Sequence, residues 1–189
     1  MMQEIYAQKV FGCVLCFFLF AAVASAQVAT SVQENKKDVM VGSSLTKGFD
    51  MGVDSEKHVK KWVRKLPEYM EVAFPAYQEW AAVFITVGKP VDPPRNKWMD
   101  FSSYKTLSIE MRGEKGEELI EIGIKSNIQE DDGTETKVTV KLIPEWKTYS
   151  FPLDEFKGAD LSHLYVVTEL VYNGTTPQTM HFRNIKIVK

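Results

Sequence analysis

Hydrophobic and polar residues alternate along most of this chain. From Thr106 it reads TLSIEMRGEKGEELIEIGIK, two strands around a turn. Leu107, Ile109 and Met111 alternate with Ser108, Glu110 and Arg112. After the turn, Ile120, Ile122 and Ile124 alternate with Glu121, Gly123 and Lys125. A period of two predicts strands with one side on a core and a polar side away from it. The same period, mostly kept, predicts strands over Tyr69–Phe74, Trp80–Val87, Lys137–Leu142, Trp146–Phe151 and Thr179–Val188, and the apolar run Leu164–Tyr172 predicts another. Pro75, Gly88-Lys89-Pro90, Asp132-Gly133 and Asn173-Gly174 end or turn them. KPVDPPRNKWMDFSSY is a loop, because its prolines cannot serve a central ladder. In the last strand His181 and Arg183 share parity with the apolar Ile185 and Ile187, which predicts a bulge near Arg183-Asn184.

One segment departs from this period. Val59, Trp62, Val63 and Leu66 stand at i, i+3, i+4, i+7, which predicts a short helix. Asp54 or Ser55 would cap it and Pro67 would end it. Its other face carries Lys57, Lys60, Lys61, Arg64 and Lys65. That face is either a solvated cover over one end of the core or a surface for a membrane or an acidic partner. About eight strands follow with no sustained helix. The expected fold is all-β, a two-sheet β-sandwich with a short helical segment near its start.

The chain ends refine this picture. Val10 to Ala24 is an apolar run closed by Ala24-Ser25-Ala26, so residues 1–26 read as a signal peptide cut after Ala26. That implies a secreted or periplasmic protein with no integral membrane span after cleavage. Residues 27–47 are polar and lack a period, and are expected to be a flexible lead to a domain over 48–189. Cys13 and Cys16 leave with the signal, which excludes a disulfide framework, a thiolate metal site and a cysteine nucleophile. The full chain carries 23 basic and 25 acidic residues, a net charge of −2. Without a basic excess, nucleic acid is not an expected partner.

YKTLSIEMRGEKGEE, EWKTYSFPLDEF, ADLSHLYVVTE and MHFRNIKIV resemble, in order and spacing, the galactose-binding-like β-jelly-roll family. Its members include secreted carbohydrate-binding modules and the related intermediate-associated proteins of respiratory complex I. The resemblance runs from Gly48 to the end. It implies a jelly roll of eight to ten strands, with one sheet offering a shallow concave face to a glycan. Many such modules hold a structural calcium near the chain ends, where the last strand often carries an acid. Here that stretch reads Phe182-Arg183-Asn184, so calcium is not favoured, although Asp50 and Asp54 offer oxygens. No other cofactor is expected. The acids from Glu130 to Glu135 lack the spacing of a calcium loop and read as a solvated turn.

Sugar binding needs flat rings for the C–H faces of pyranoses and planar polar groups for the hydroxyls. If Ala81, Val83, Ile85 and Val87 face the core, Trp80 and Phe84 lie on the other side, about 13 Å apart along the strand. The competing reading buries that strand on both faces. Glu169 interrupts the apolar LYVVTELVY and is either a groove residue or the partner of Arg112. The candidate ligand-binding set is Trp80, Phe84, Arg112, Glu121, Lys125, Glu169, His181 and Arg183. The expected ligand is a polysaccharide or oligosaccharide, bound without catalysis. A protein-interaction or assembly module, contacting its partner through Lys57–Lys65, is the rival. A glycoside hydrolase drawing two acids from Glu110, Glu121 and Glu169 is a third reading. No compact acid cluster, G-x-S-x-G elbow or phosphate-cradling glycine loop supports an enzyme.

Overall fold

The computed structural model of the chain describes residues 35–93 and 95–189. The expected signal peptide, and the lead up to residue 34, lie outside the described residues. No helix among the described residues is long and apolar enough to cross a membrane.

The strands are β1 (Lys36–Asp38), β2 (Met40–Val41), β3 (Ser44–Leu45), β4 (Phe49–Ser55), β5 (Val63–Lys65), β6 (Met70–Phe74) and β7 (Trp80–Val87). They continue with β8 (Thr106–Gly113), β9 (Leu119–Ser126), β10 (Lys137–Lys141), β11 (Lys147–Pro152), β12 (Leu164–Asn173) and β13 (Gln178–Val188). One sheet runs β11-β8-β13-β6-β5, with β1 also on β13. The other runs β10-β9-β12-β7-β4. All pairings within them are antiparallel. The result is the expected all-β jelly-roll sandwich.

The alternating residues explain why these two sheets meet. Val72, Phe74, Leu107, Ile109, Met111, Met180 and Phe182 come from the first sheet, and Ala81, Val83, Ile85, Ile120, Ile122, Ile124 and Leu170 from the second. All belong to one buried cluster. Each large aliphatic or aromatic side chain buried there contributes about 1.5–3 kcal/mol of transfer free energy. In β13 the register shifts between Arg183 and Lys186, and Asn184 takes a φ of 50°. This bulge returns Ile185 and Ile187 to the core after Phe182, as the parity conflict predicts.

Three expectations are corrected. The helix expected after Ser55 is a turn followed by a strand. Ser55 does cap, its Oγ accepting from the Val59 amide at 3.0 Å. Val63 then pairs with Val72, Arg64 with Glu71 and Lys65 with Met70. The helical spacing of Trp62 and Val59 is met by one turn, in which the indole donates to the Val59 carbonyl at 2.6 Å. Beyond it, the edge of β6 supplies hydrogen bonds that outweigh a weak local propensity. The lysine-rich face is largely engaged within the chain: Lys60 with Asp54, Arg64 with Glu71, and Lys57 with the Tyr77 carbonyl.

The stretch expected to be a flexible lead is, from Lys36 to Leu45, three short strands. Its polar side chains hid them because β1 is an edge strand and β2–β3 is a tight hairpin. Tertiary contacts hold the segment. Val39 and Met40 are buried, and the Val39 amide donates to the Ile185 carbonyl.

The third correction concerns Thr106–Lys125. Its two strands do not share a sheet: β8 pairs with β11 and β13, whereas β9 pairs with β10 and β12. The turn between them crosses the sandwich. The polar side of the first half and that of the second therefore face opposite exteriors.

Candidate functional site

The outer face of the β10-β9-β12-β7-β4 sheet forms the floor of a cleft of about 650 Å³. All five strands meet in one register row, with Lys137 opposite Gly123, Gly123 opposite Glu169, Glu169 opposite Phe84, and Phe84 opposite Gly52. The two bulky positions at its centre, Glu169 and Phe84, are flanked by bare glycines. A methyl group at Gly52 would stand 2.2 Å from the Phe84 ring, and one at Gly123 would stand 2.4 Å from Glu169 Oε1. The two glycines thus let Phe84 and Glu169 lie low against the sheet, which keeps the floor open. Ala82 and Val171, a neighbouring pair in the register, add a flat apolar patch. Trp80 stands at the end of β7, 38% exposed and opposite Asn173. Asn173 donates to Glu121 at 2.6 Å, which fixes both planar groups on the floor.

Two loops wall the other end. Arg95 organises both. Its side chain is buried against the Tyr165 ring at 4.7 Å, and it donates to the carbonyls of Val91 and Gln129 and to Asp131. Tyr165 in turn accepts the Val91 amide at 2.8 Å. The loop after β9 therefore closes over Lys125, whose ammonium lies 3.3 Å from Asp131, 3.4 Å from Glu135 and 3.9 Å from Glu169.

That burial sets the protonation of the site. Desolvation would lower the Lys125 pKa, but Glu169, Glu135 and Asp131 together raise it, so it stays charged. Burial and the hydrogen bond with Glu135 push Glu169 up to about 8. Burial would raise Glu135 as well. The hydrogen bond from Glu169 and the contact with Lys137 at 2.6 Å outweigh that and hold it low. One acid is thus neutral and the other ionised at pH 7, as expected when two carboxyls share a proton. With both acids ionised, Glu169 Oε1 and Glu135 Oε2 would be buried without a hydrogen-bond partner among the described residues, a cost that a retained proton relieves. The cleft thus gathers a carboxylic acid, a carboxylate, an amide and an ammonium.

Trp80, Phe84, Glu121, Lys125 and Glu169 all line this cleft. The odd positions of β7 are in the core; on the outer face Ala82 and Thr86 are buried but Trp80 is exposed and Phe84 half-buried, so the strand is not buried throughout on both faces. Arg112, His181 and Arg183 do not join them. They lie on the outer face of the opposite sheet, with β8 and β13. Arg112 consequently cannot pair with Glu169, whose cation is Lys125. Glu110 is also on that far face, bonded to Arg183 at 2.8 Å, so it cannot form an acid pair with Glu121 or Glu169. Arg95, Asp131, Glu135, Tyr165 and Asn173 are groove residues that the periodicity left out. Four of the five lie in or beside loops or at a strand end. The turn expected to be merely solvated supplies Asp131 and Glu135. The signal available was the density of acids there, opposite a lone lysine at the end of an apolar strand.

Asp54 Oδ1 accepts from the Ser55 amide and contacts His58 and Lys60. Among the described residues no group of three or more His, Cys, Asp or Glu side chains is placed to hold a metal ion.

Comparisons with known proteins agree with this architecture. Among solved structures, the chain is similar to the family 30 carbohydrate-binding module of a cellulosomal cellulase of Clostridium thermocellum. The TM-score is 0.57 at 18% identity, over 81% of this chain and 98% of that one. A second family 30 module matches with a TM-score of 0.58 at 17% identity, covering 81% and 87%. A family 29 module in complex with mannohexaose matches with a TM-score of 0.55 at 12% identity, covering 82% and 92%. At these identities the likeness is one of fold. No curated protein matches. The family model for carbohydrate binding domain 30 matches residues 29–189, and the chain belongs to that carbohydrate-binding family.

Proposed function

We propose that this protein is a secreted, non-catalytic module that binds a polysaccharide or oligosaccharide along the cleft over β9, β12, β7 and β4. Trp80 carries the reading: it is a large ring left 38% exposed at the open end of a cleft whose floor is otherwise small, apolar or hydrogen-bonding. The Trp80 indole stacks on one sugar. Phe84, about 13 Å along the strand, offers a second apolar contact. Glu121, Lys125 and Glu169 meet the hydroxyls. Because each of these is already oriented by Asn173, Asp131 or Glu135, little side-chain freedom is lost on binding. Family membership supports carbohydrate as the ligand. Secretion rests on the leader read in the sequence, and the non-catalytic character on the lack of a compact acid cluster in that reading.

The test is retention on a panel of glycans, including a cellulosic glucan and mannohexaose, measured at low and high salt. Retention on one class, insensitive to salt and lost with Trp80→Ala in a folded protein, is expected. Retention unchanged by both Trp80→Ala and Glu169→Ala would sink the groove reading.

A further inference from the structure

The opposite sheet carries a second cluster. Its outer face holds a register row in which Arg64 stands opposite Glu71, Glu71 opposite His181, and His181 opposite Arg112. Trp146 enters β11 beside Arg112, at 5.2 Å from ring to guanidinium. Tyr69 closes the other side, 5.8 Å from Arg112 and 5.1 Å from the His181 ring. The acids on these strands already have partners. Glu71 takes Arg64 at 2.8 Å, and Glu110 takes Arg183 at 2.8 Å and Asn184 at 2.7 Å.

Arg112 is the exception. It has no hydrogen-bond acceptor or carboxylate among the described residues, and its Nε is buried without a partner. His181 Nδ1 and Arg183 Nε, neighbours on β13, are buried and unpartnered as well. His181 is only 6% exposed. A guanidinium has five donors in a fork matched to a carboxylate, and leaving such donors unmet when buried is costly. Tyr69 and Trp146 pack edge to face, 5.6 Å between centroids, with Arg112 beside the pair and Arg183 4.2 Å over the Trp146 ring.

We propose that Arg112, flanked by Trp146 and Tyr69 and backed by His181, forms a second site, on the face opposite the cleft, for the carboxylate-bearing ring of an acidic polysaccharide. Arg112 grips the carboxylate, and Trp146 and Tyr69 lie beside the ring. Glu71 and Glu110 are paired to other cations, and Glu68 and Glu114 lie nearer Arg183 and His181, so Arg112 is the cation on these strands left to an anionic chain. The cleft, with its many acids, disfavours such a chain.

The test is affinity electrophoresis of the protein in gels containing polygalacturonate, with a neutral glucan gel alongside. Retardation by polygalacturonate should weaken at high salt. Arg112→Gln should weaken it roughly ten- to a hundredfold, the value of hydrogen bonds to a charged group. Arg112→Lys, which keeps the charge but not the fork, should recover only part. Trp80→Ala should leave it intact while removing retention by the neutral glycan. No retardation by polygalacturonate, retardation that survives Arg112→Gln, or retardation lost with Trp80→Ala would each overturn the proposal. Arg112→Gln and Arg112→Lys are checked for folding by thermal unfolding, and the lysine variant carries the test if the glutamine variant does not fold.

Discussion

On the β9-β12-β7 face, Lys125 lies 6% exposed among three carboxylates beneath two loops. On the β8-β13-β6 face, Arg112 lies half-buried beside two rings, with every nearby strand acid already paired to another cation. Both arise from the same pattern, a charged residue alternating with core aliphatics. They differ in what is stacked above the sheet. Arg95 ties Val91 to Gln129 and Asp131, and Lys125 and Glu169 lie buried beside that tie. Charges there become strongly coupled, and a proton is retained on Glu169. No such tie covers the other face, and its ion pairs remain half-solvated. A period-two pattern therefore says which side a charge is on, but not how strongly it will be felt.

Substitutions can break or sharpen this contrast. The largest effect is expected from Lys125→Met, which leaves Asp131, Glu135 and Glu169 without their shared cation. A loss of about 3–5 kcal/mol is expected, measured by denaturant unfolding. An effect as small as that of a surface lysine would show that the cleft is not desolvated. Trp80→Ala comes next. It should weaken binding of a retained oligosaccharide by about 2 kcal/mol, roughly thirty-fold in Kd, with little change in stability because the ring is exposed. Calorimetric titration would measure it. Gly52→Ala forces the Phe84 ring off the floor, at a cost of roughly 1–2 kcal/mol in stability, and narrows the cleft at that row. On the far face, Arg183→Ala breaks the half-exposed pair with Glu110 and should cost about 1 kcal/mol or less. If it matched Lys125→Met, the two faces would be electrostatically alike.

A further effect is one of pH. Glu169 has a folded pKa of about 8, above its ordinary 4.5, so its neutral form stabilises the fold. That contribution is complete below about 4.5 and is lost as pH rises through about 8. Denaturation midpoints of the wild type should fall over this window relative to those of Glu169→Gln, which carries no titrating group there. Parallel profiles would mean that Glu169 is ionised throughout.

The eight strands from β6 to β13 were readable because alternate or continuous apolar residues leave a signal within a few positions. The strands from β1 to β5 were not. In β4, Gly52 has no side chain and Asp50 and Asp54 look like loop residues. In β5 three residues are held by pairing to β6 rather than by their own pattern. Trp80, Phe84, Glu121, Lys125 and Glu169 were found for the same reason as the strands, as outward residues in apolar surroundings. Asp131 and Glu135 were not, since a turn-rich acidic segment reads the same whether it is in water or folded over a lysine.

Taken alone, the alternation of residues determined that this chain is a two-sheet sandwich and which residues point outward. That information is local, carried by neighbours two apart. Only the tertiary structure decided which outward residues share a face. The connection after β8 crosses from one sheet to the other, so Arg112 and Glu121, nine positions apart, look out on opposite sides. Strand partnership is set by long-range hydrogen bonds and by closure of the common core, and no periodicity within a strand records it.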